Sequence, residues 1–213
     1  MFSRHDRAWL SSAGWTSALD GAAPAHRQAL EQWRRHDWPL IVTRRTPDAA
    51  PGAVCLGLAL PPDGGRKLRI AVQVDAHAVA RAEPALALQA AAAAAPAQWS
   101  APLAALLADA GAIVLRAYGS LALQAVTGLH YLSASSDIDL LFEPADLHEL
   151  DAGVQLLQTH RQRLPLDGEI VFPGGAAVAW KEWRDAAIGA RVLVKDAGAV
   201  RLMTTASLRD LLQ

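Results

Sequence analysis

The sequence predicts an α+β fold, with a small mixed α/β domain ahead of a domain built on a mixed sheet with flanking helices. Short apolar runs bounded by Pro, Gly and Asp, which are typical of strands, are interspersed with segments whose apolar residues recur at helical spacing. The stretch Ile113–Phe142 combines both patterns as strand, Gly-Ser turn, helix, loop and strand. The segment from Pro96 to Pro102 is the best boundary, so we expect domains at 1–98 and 99–213.

The N-terminal part is expected to hold three strands and two helices. Leu30 and Trp33 lie three residues apart, which favours a short helix, and the turn Pro61–Gly65 between two apolar runs indicates a hairpin. A run of six alanines has high helix propensity and carries little packing information. The predicted elements are a helix at Arg27–Arg35, strands at Leu40–Val42, Val54–Leu60 and Leu68–Val72, and a helix at Val79–Ala95.

The C-terminal part is expected to alternate helices and strands. Ser100 is predicted to cap a helix that ends at Gly111, and Thr205 or Ser207 to cap a short terminal helix. Leu147, Leu150, Val154 and Leu157 share one helical face. Further strands are predicted at Ile170–Phe172, Ala176–Trp180 and Arg191–Lys195.

Two short motifs in the central stretch carry the chemistry. Gly119-Ser120 ends the first strand, and Ser120 is predicted to cap the helix at Leu121–Val126, which stops at Gly128. The amide-rich start of a helix favours phosphate. Asp137 and Asp139 open the next strand two residues apart, so they share one face. Such a carboxylate pair is suited to Mg²⁺ that is shared with substrate phosphates.

Gly-Ser followed by Asp-x-Asp on the next strand resembles the mark of the nucleotidyltransferase superfamily. The wider sequence, chiefly YGSLALQAVTGLHYLSASSDIDLLF with RHDRAWL, WPLIVTRR and DGEIVFPGGAAVAWKEW, resembles the phosphoribosyl-dephospho-coenzyme A transferases of malonate decarboxylase. Enzymes of that family are also called holo-acyl-carrier-protein synthases. The likeness runs from Arg4 to about Leu208 and is most specific in the central segment.

The resemblance implies a Mg²⁺-dependent transferase that attaches a prosthetic group, and the N-terminal and hydropathy patterns of the sequence favour a cytoplasmic protein. Its donor would be triphosphoribosyl-dephospho-coenzyme A, its acceptor a serine of the apo acyl-carrier subunit of malonate decarboxylase, and pyrophosphate would leave. Asp137 and Asp139 would hold the metal, and Gly119 and Ser120 the phosphates. From the residues alone, an NTP-using nucleotidyltransferase that modifies a small molecule or a protein, or an inactive carrier-binding module, remains an alternative.

A third carboxylate is expected on a later strand, because enzymes of this kind usually add one opposite the first two. Asp167 and Glu169 precede the apolar run that begins at Ile170, and Gly168 between them allows a close backbone approach. Either acid is a candidate for general base or second metal ligand, with Glu169 favoured because it lies beside the apolar run.

Basic side chains supply candidate donor contacts. Arg44 and Arg45 end a predicted strand, where paired guanidinium groups are suited to clamp phosphates. A solvated strand end is the alternative for this pair. Lys181, within the Trp180–Trp183 cluster, and Lys195, at the end of a predicted strand, are further candidates, and a tryptophan face suits adenine or pantetheine. The N-terminal domain, residues 1–98, is expected to bind substrate or carrier.

Composition excludes several other classes. The net charge of −1 gives no basic surface for nucleic acid, and one cysteine cannot form an internal disulfide or a cysteine-cluster metal site. No segment has the ~20 apolar residues of a membrane span, and the charged N-terminus does not suit a signal peptide. Dinucleotide-binding, serine-hydrolase and P-loop motifs do not occur.

Overall fold

The computed structural model describes residues 2–213 and divides the chain into two compact units. The first ends at Pro84 and the second begins at Ala85, earlier than the expected boundary after residue 98. The difference arises because residues 86–92 belong to the second unit, where a short strand pairs with the sheet and a short helix packs in the core. No helix within the described residues has the length and apolar character needed to cross a membrane.

The first unit is an antiparallel sheet with two helices. Along residues 69–75, Ile70, Val72 and Val74 are buried and the alternate positions are exposed, as expected for a strand with one face on the core. The strand order in the described part of this unit is β4-β3-β2-β1-β5. The elements are β1 (Arg7–Leu10), α1 (Ser12–Asp20), α2 (Pro24–Arg35), β2 (Leu40–Val42), β3 (Ala53–Ala59), β4 (Arg69–Asp75) and β5 (Val79–Glu83).

The second unit is a mixed sheet with flanking helices, which confirms the predicted α+β class. Across residues 85–213 the strand order is β12-β11-β10-β9-β8-β7-β6. The elements are β6 (Leu86–Ala87), α3 (Leu88–Ala92), α4 (Ala97–Ala110), β7 (Leu115–Tyr118), α5 (Gly119–Thr127), β8 (Ile138–Phe142), α6 (Leu147–His160), β9 (Leu166–Val171), β10 (Ala177–Ala179), α7 (Trp180–Asp185), β11 (Arg191–Lys195), β12 (Val200–Thr204) and α8 (Thr205–Arg209).

The centre of this sheet is the pair β8 and β9, which run parallel and are joined by α6. A parallel pair needs such a crossover, because a tight turn can only connect antiparallel strands. Ile138, Leu140 and Phe142 project from β8 into a core shared with Leu150 and Leu157 of α6. The alternate positions of β8 therefore lie on the opposite face of the sheet.

The predicted helix at Val79–Ala95 is wrong. Its first part is strand β5, in which Arg81 pairs with Trp9 of β1 and its guanidinium lies 3.8 Å from the centre of the Trp9 ring. Pro84 follows, and the helical part is confined to α3. Strand pairing and a cation–π contact thus outweigh the helix propensity of alanine in this segment.

Three predicted helix caps are also wrong, although the helices exist. α4 begins at Ala97, so Ser100 lies within its first turn. Thr204, which precedes both predicted positions, caps α8 by accepting from the Ser207 amide. Ser120 is discussed with the site below. For α8 the reason is that Thr204, one residue before Thr205, holds the extended conformation and the hydroxyl that a capping position needs.

Gly153 provides a test of the packing between α6 and β8. A Cβ at this position would overlap the ring of Phe142, which is 1 % exposed. Gly153→Ala should therefore lower the melting temperature by several degrees, because overpacking commonly costs ~1–3 kcal/mol and outweighs a helix-propensity gain of ~1 kcal/mol. Gly198→Ala is the control, since its Cβ would meet no atom closer than 4.0 Å. Equal melting temperatures for both variants and the wild type would contradict this packing.

Candidate active site

The candidate site lies where β8 and β9 begin, on the sheet face opposite the core. Asp139 of β8 is the register partner of Asp167 of β9, and Asp137 is exposed immediately before β8. Register partners in parallel strands point to the same side of the sheet. The parallel pairing therefore brings Asp167 beside the Asp-x-Asp motif, although 27 intervening residues separate Asp139 from Asp167 in the sequence.

Gly119 brings the Gly-Ser turn onto the Asp139 carboxylate. Tyr118 pairs with Asp139 across β7 and β8, so the residue after Tyr118 turns directly over this side chain. Gly119 has φ +65°, and a Cβ there would overlap the carboxylate of Asp139. Glycine is required twice, by a left-handed backbone and by the close approach. The two motifs of the central stretch thus form one site.

Ser120 does not cap the following helix, contrary to the prediction. α5 begins at Gly119, with Tyr118 at the capping position and no capping hydrogen bond from its side chain. Ser120 therefore lies in the first turn, where backbone amides have no partner within the helix. Its hydroxyl and the nearby amides remain suited to phosphate oxygens. Gly128 ends α5 with φ 72°, as predicted.

Gly168 permits the close approach of β9 to β8. Its φ is +128°, and a Cβ at this position would overlap the backbone carbonyl of Leu140. This agrees with the backbone approach predicted from the Asp-Gly-Glu sequence. The spacing between the two strands, and hence between Asp139 and Asp167, depends on this glycine.

The two candidates for a third carboxylate have different surroundings. Asp167 is partly exposed; its Oδ1 accepts from the Gly168 amide at 2.9 Å and lies 3.5 Å from Lys181 Nζ. Glu169 is 5 % exposed, and its Oε1 lies 3.1 Å from Lys195 Nζ. Glu169 is register partner to Leu141, two residues further along β8 than Asp139. Asp167 therefore lies nearer to the aspartate pair and is the more accessible acid.

The loop from α5 to β8 is fixed by hydrogen bonds that the sequence analysis did not single out. Gln124 Oε1 accepts from the amides of Tyr131 and Leu132, both at 3.1 Å, and Gln124 Nε2 donates to the Ala94 carbonyl at 2.8 Å. Burial raises the pKa of the Tyr131 phenol, an effect partly offset by its hydrogen bond with Thr127. The one sequence signal was a glutamine within an otherwise apolar helix, LALQAV.

The structure also locates the predicted arginine pair and the tryptophans that were considered as a stacking surface. Arg45, in the first unit, donates from Nη2 to the carbonyls of Ala49 and Ala50 at 3.0 Å each, and Arg44 beside it is exposed. Arg45 thus stabilises its own loop, and a phosphate role for the pair stays a prediction. Trp180 and Trp183 are 0 % and 7 % exposed, so their faces belong to the core and do not offer a stacking surface.

The donor set fits Mg²⁺ only if the substrate contributes ligands. Within residues 2–213 no three His, Cys, Asp or Glu side chains are grouped so as to hold a metal ion. Mg²⁺ is usually bound through one or two carboxylates together with phosphate oxygens and water. Asp137 and Asp139, beside a turn suited to phosphates, supply carboxylates of this kind.

Residues 3–206 match family models in two adjoining pieces. Residues 3–85 match the phosphoribosyl-dephospho-CoA transferase MdcG N-terminal domain, and residues 85–206 match the MdcG C-terminal domain. The chain belongs to the phosphoribosyl-dephospho-CoA transferase family. The point at which the two family domains meet coincides with the division of the structure at Pro84 and Ala85.

Several relatives named phosphoribosyl-dephospho-CoA transferase are similar over nearly the full length. One from Xanthomonas campestris pv. campestris (strain 8004) is 40 % identical over 212 residues, which is 98 % of this chain and 97 % of the relative. One from Bradyrhizobium diazoefficiens is 39 % identical over 206 residues, 94 % of this chain and 89 % of the relative. No solved structure matches this transferase sequence significantly. The resemblance drawn from the motifs is therefore confirmed at the level of the family.

The ion pair between buried Glu169 and Lys195 can be tested by protein stability, without any substrate. Exposed pairs contribute ~0.2–1 kcal/mol, whereas breaking a fully buried pair costs ~3–5 kcal/mol. Because Glu169 is buried and the Lys195 side chain is 40 % exposed, we expect a coupling free energy of ~1 kcal/mol. A double-mutant cycle with Glu169→Gln and Lys195→Met, measured by urea unfolding, gives this value. Additive effects of the two substitutions would show that the pair is not coupled.

Proposed function

We propose that this protein transfers the prosthetic group of triphosphoribosyl-dephospho-CoA to a serine of the apo acyl-carrier subunit of malonate decarboxylase. The observation that carries the proposal is the contact of the Gly119 backbone with the Asp139 carboxylate. It unites a turn suited to phosphate with a carboxylate pair suited to Mg²⁺, which is what a nucleotidyltransferase-type reaction needs. The names of the relatives, which are similar to this chain over nearly its full length, support the donor class.

The proposed reaction is an in-line displacement at the phosphate nearest the ribose. A bond forms between the acceptor serine Oγ and this phosphorus, the bond to the bridging oxygen breaks, and pyrophosphate leaves with that oxygen. The serine proton passes to a carboxylate. A divalent ion held by Asp137 and Asp139 would supply neutralisation of the charge on the attacking and leaving oxygens.

The chain's own residues would orient the donor and accept the proton. The amides and hydroxyl of the first turn of α5, at Gly119 and Ser120, would bind the departing phosphates. Of the two candidate acids, we assign the proton-accepting role to Asp167, because it is partly exposed and is paired in register with Asp139. Glu169 lies against Lys195, so its carboxylate holds an ammonium group near the site.

The direct test is a donor screen with the purified protein, Mg²⁺ and the apo carrier subunit. The mass of the intact carrier should rise by the mass of the donor less pyrophosphate, with triphosphoribosyl-dephospho-CoA as donor. ATP, CTP, GTP and UTP should leave the carrier mass unchanged. Labelling from one of these nucleotides alone would instead indicate an ordinary NTP-using nucleotidyltransferase.

The aspartate pair should be needed for turnover and dispensable for folding. Asp137→Asn and Asp139→Asn keep side-chain size but remove the charge that attracts the metal, so each should lower kcat about a hundredfold or more. Glu143→Gln, an exposed acid just beyond the other end of β8, is the control and should retain full turnover. Either aspartate variant retaining more than about half the turnover at saturating Mg²⁺ would refute its role as a ligand.

A comparison with Gly128 tests whether Gly119 has a role in turnover beyond its left-handed backbone. Gly119→Ala and Gly128→Ala both place a side chain on a left-handed backbone, which costs ~1–2 kcal/mol of stability. Only at position 119 would the new methyl group overlap the Asp139 carboxylate; at position 128 it meets no atom within 4 Å. We expect a loss of stability for Gly119→Ala at least as large as for Gly128→Ala, and a loss of turnover only for Gly119→Ala. Equal turnover in the two variants would show that the Gly-Ser turn does not take part in the reaction.

A further inference from the structure

Gln124 occupies the centre of a hydrogen-bond hub on α5, one turn beyond Gly119 and Ser120. Its Oε1 accepts from two consecutive amides, those of Tyr131 and Leu132, and its Nε2 donates to the carbonyl of Ala94. One side chain therefore joins three segments of the second unit: the chain between α3 and α4, helix α5, and the loop that leads to β8. A side-chain amide has the donor and the acceptor that this arrangement needs.

The loop held by Gln124 continues directly to the aspartates. Beyond Leu132 the chain is closed by a second set of hydrogen bonds, in which the Ser133 amide donates to Ser136 Oγ at 2.9 Å and the Ser136 amide donates to the Ser133 carbonyl at 3.1 Å. Asp137 follows at once, and the Ile138 amide donates to the Pro165 carbonyl at 2.8 Å, at the start of β9.

The helix that Gln124 belongs to is the one that begins with the phosphate turn. Any movement of the loop relative to α5 would thus move Asp137 relative to Gly119 and Ser120. Asp139 is held independently, because it lies in β8 between paired strands. The position of Asp137, which precedes the strand and is exposed, depends most on the loop.

We propose that Gln124 is a positioning residue for the transfer reaction, which fixes Asp137 against the phosphate turn through the loop at residues 128–136. The inference rests on the proposed function of the aspartate pair. Gln124 itself is not expected to contact substrate or metal. Misplacement of a reacting group by about 1 Å can cost on the order of a hundredfold in rate, so the loss of three hydrogen bonds in this hub has a measurable consequence.

Substitutions at position 124 distinguish positioning from bulk stability. Gln124→Met retains length and removes all three hydrogen bonds, so kcat should fall by about tenfold or more, and more Mg²⁺ should be needed for half-maximal turnover. Gln124→Glu retains the two acceptor contacts with the loop, but it replaces the donation to Ala94 with a carboxylate oxygen that faces the Ala94 carbonyl. Because the loop contacts are kept, kcat should fall less than in Gln124→Met. Gln98→Met, at an exposed position on α4, is the control.

Amide hydrogen exchange gives a second measurement on the same variants. The Tyr131 and Leu132 amides should exchange faster in Gln124→Met than in the wild type and stay protected in Gln124→Glu. If the methionine variant does not fold, Gln124→Asn, whose shorter side chain cannot span the same contacts, takes its place. Faster exchange of both amides with wild-type kcat and Mg²⁺ dependence would overturn the proposal, as would equal losses of kcat in the Met and Glu variants.

The aspartate variants distinguish a failure of the Gln124 proposal from a failure of the hypotheses on which it rests. If Asp139→Asn is inactive and Gln124→Met is fully active, the role of Gln124 is refuted and the proposed function stands. If Asp139→Asn is fully active, the ligand role of the aspartate pair, on which this inference rests, is refuted; if the wild-type protein leaves the apo carrier unlabelled in the donor screen, the proposed function itself fails.

Discussion

The approach of the Gly119 backbone to the Asp139 carboxylate is the constraint on which the site depends. It follows from the pairing of Tyr118 with Asp139 across β7 and β8, which leaves the chain no room for a side chain at the next residue. The same residue must adopt a left-handed conformation to start α5. The Gly-Ser turn and a carboxylate pair that are separated by a helix in the sequence thereby become neighbours, and β9 adds Asp167 by parallel pairing with β8.

Much of this unit could be predicted because its signals are local. The stop of α5 at Gly128, the apolar face of α6 and the Asp-x-Asp strand each follow from residues a few positions apart. The strand at Val79–Glu83 could not be predicted in this way, because what holds it is pairing with β1, some seventy residues earlier in the chain. Alanine-rich sequence favours a helix wherever tertiary contacts do not decide otherwise.

The choice between Asp167 and Glu169 shows the same limit within the site. The sequence offers both acids as candidates and favours Glu169 for its proximity to the apolar run. In the structure that proximity buries Glu169 against Lys195, whereas Asp167 lies beside Asp139 with its side chain partly exposed. Strand register and the identity of the neighbouring cation are both set by tertiary contacts between residues that are distant in the sequence. The role of Gln124 could not be predicted for the same reason, since its three hydrogen-bond partners lie on segments that come together only in the fold.

The central claim is that Asp139 and the Gly119 turn together bind a divalent cation and phosphate. Electron paramagnetic resonance of Mn²⁺, with and without added pyrophosphate, measures this directly. Wild-type protein should bind Mn²⁺ more tightly when pyrophosphate is present, and Asp139→Asn should lose that enhancement, while Glu143→Gln should retain it. Undiminished, pyrophosphate-dependent Mn²⁺ binding by folded Asp139→Asn would contradict the account.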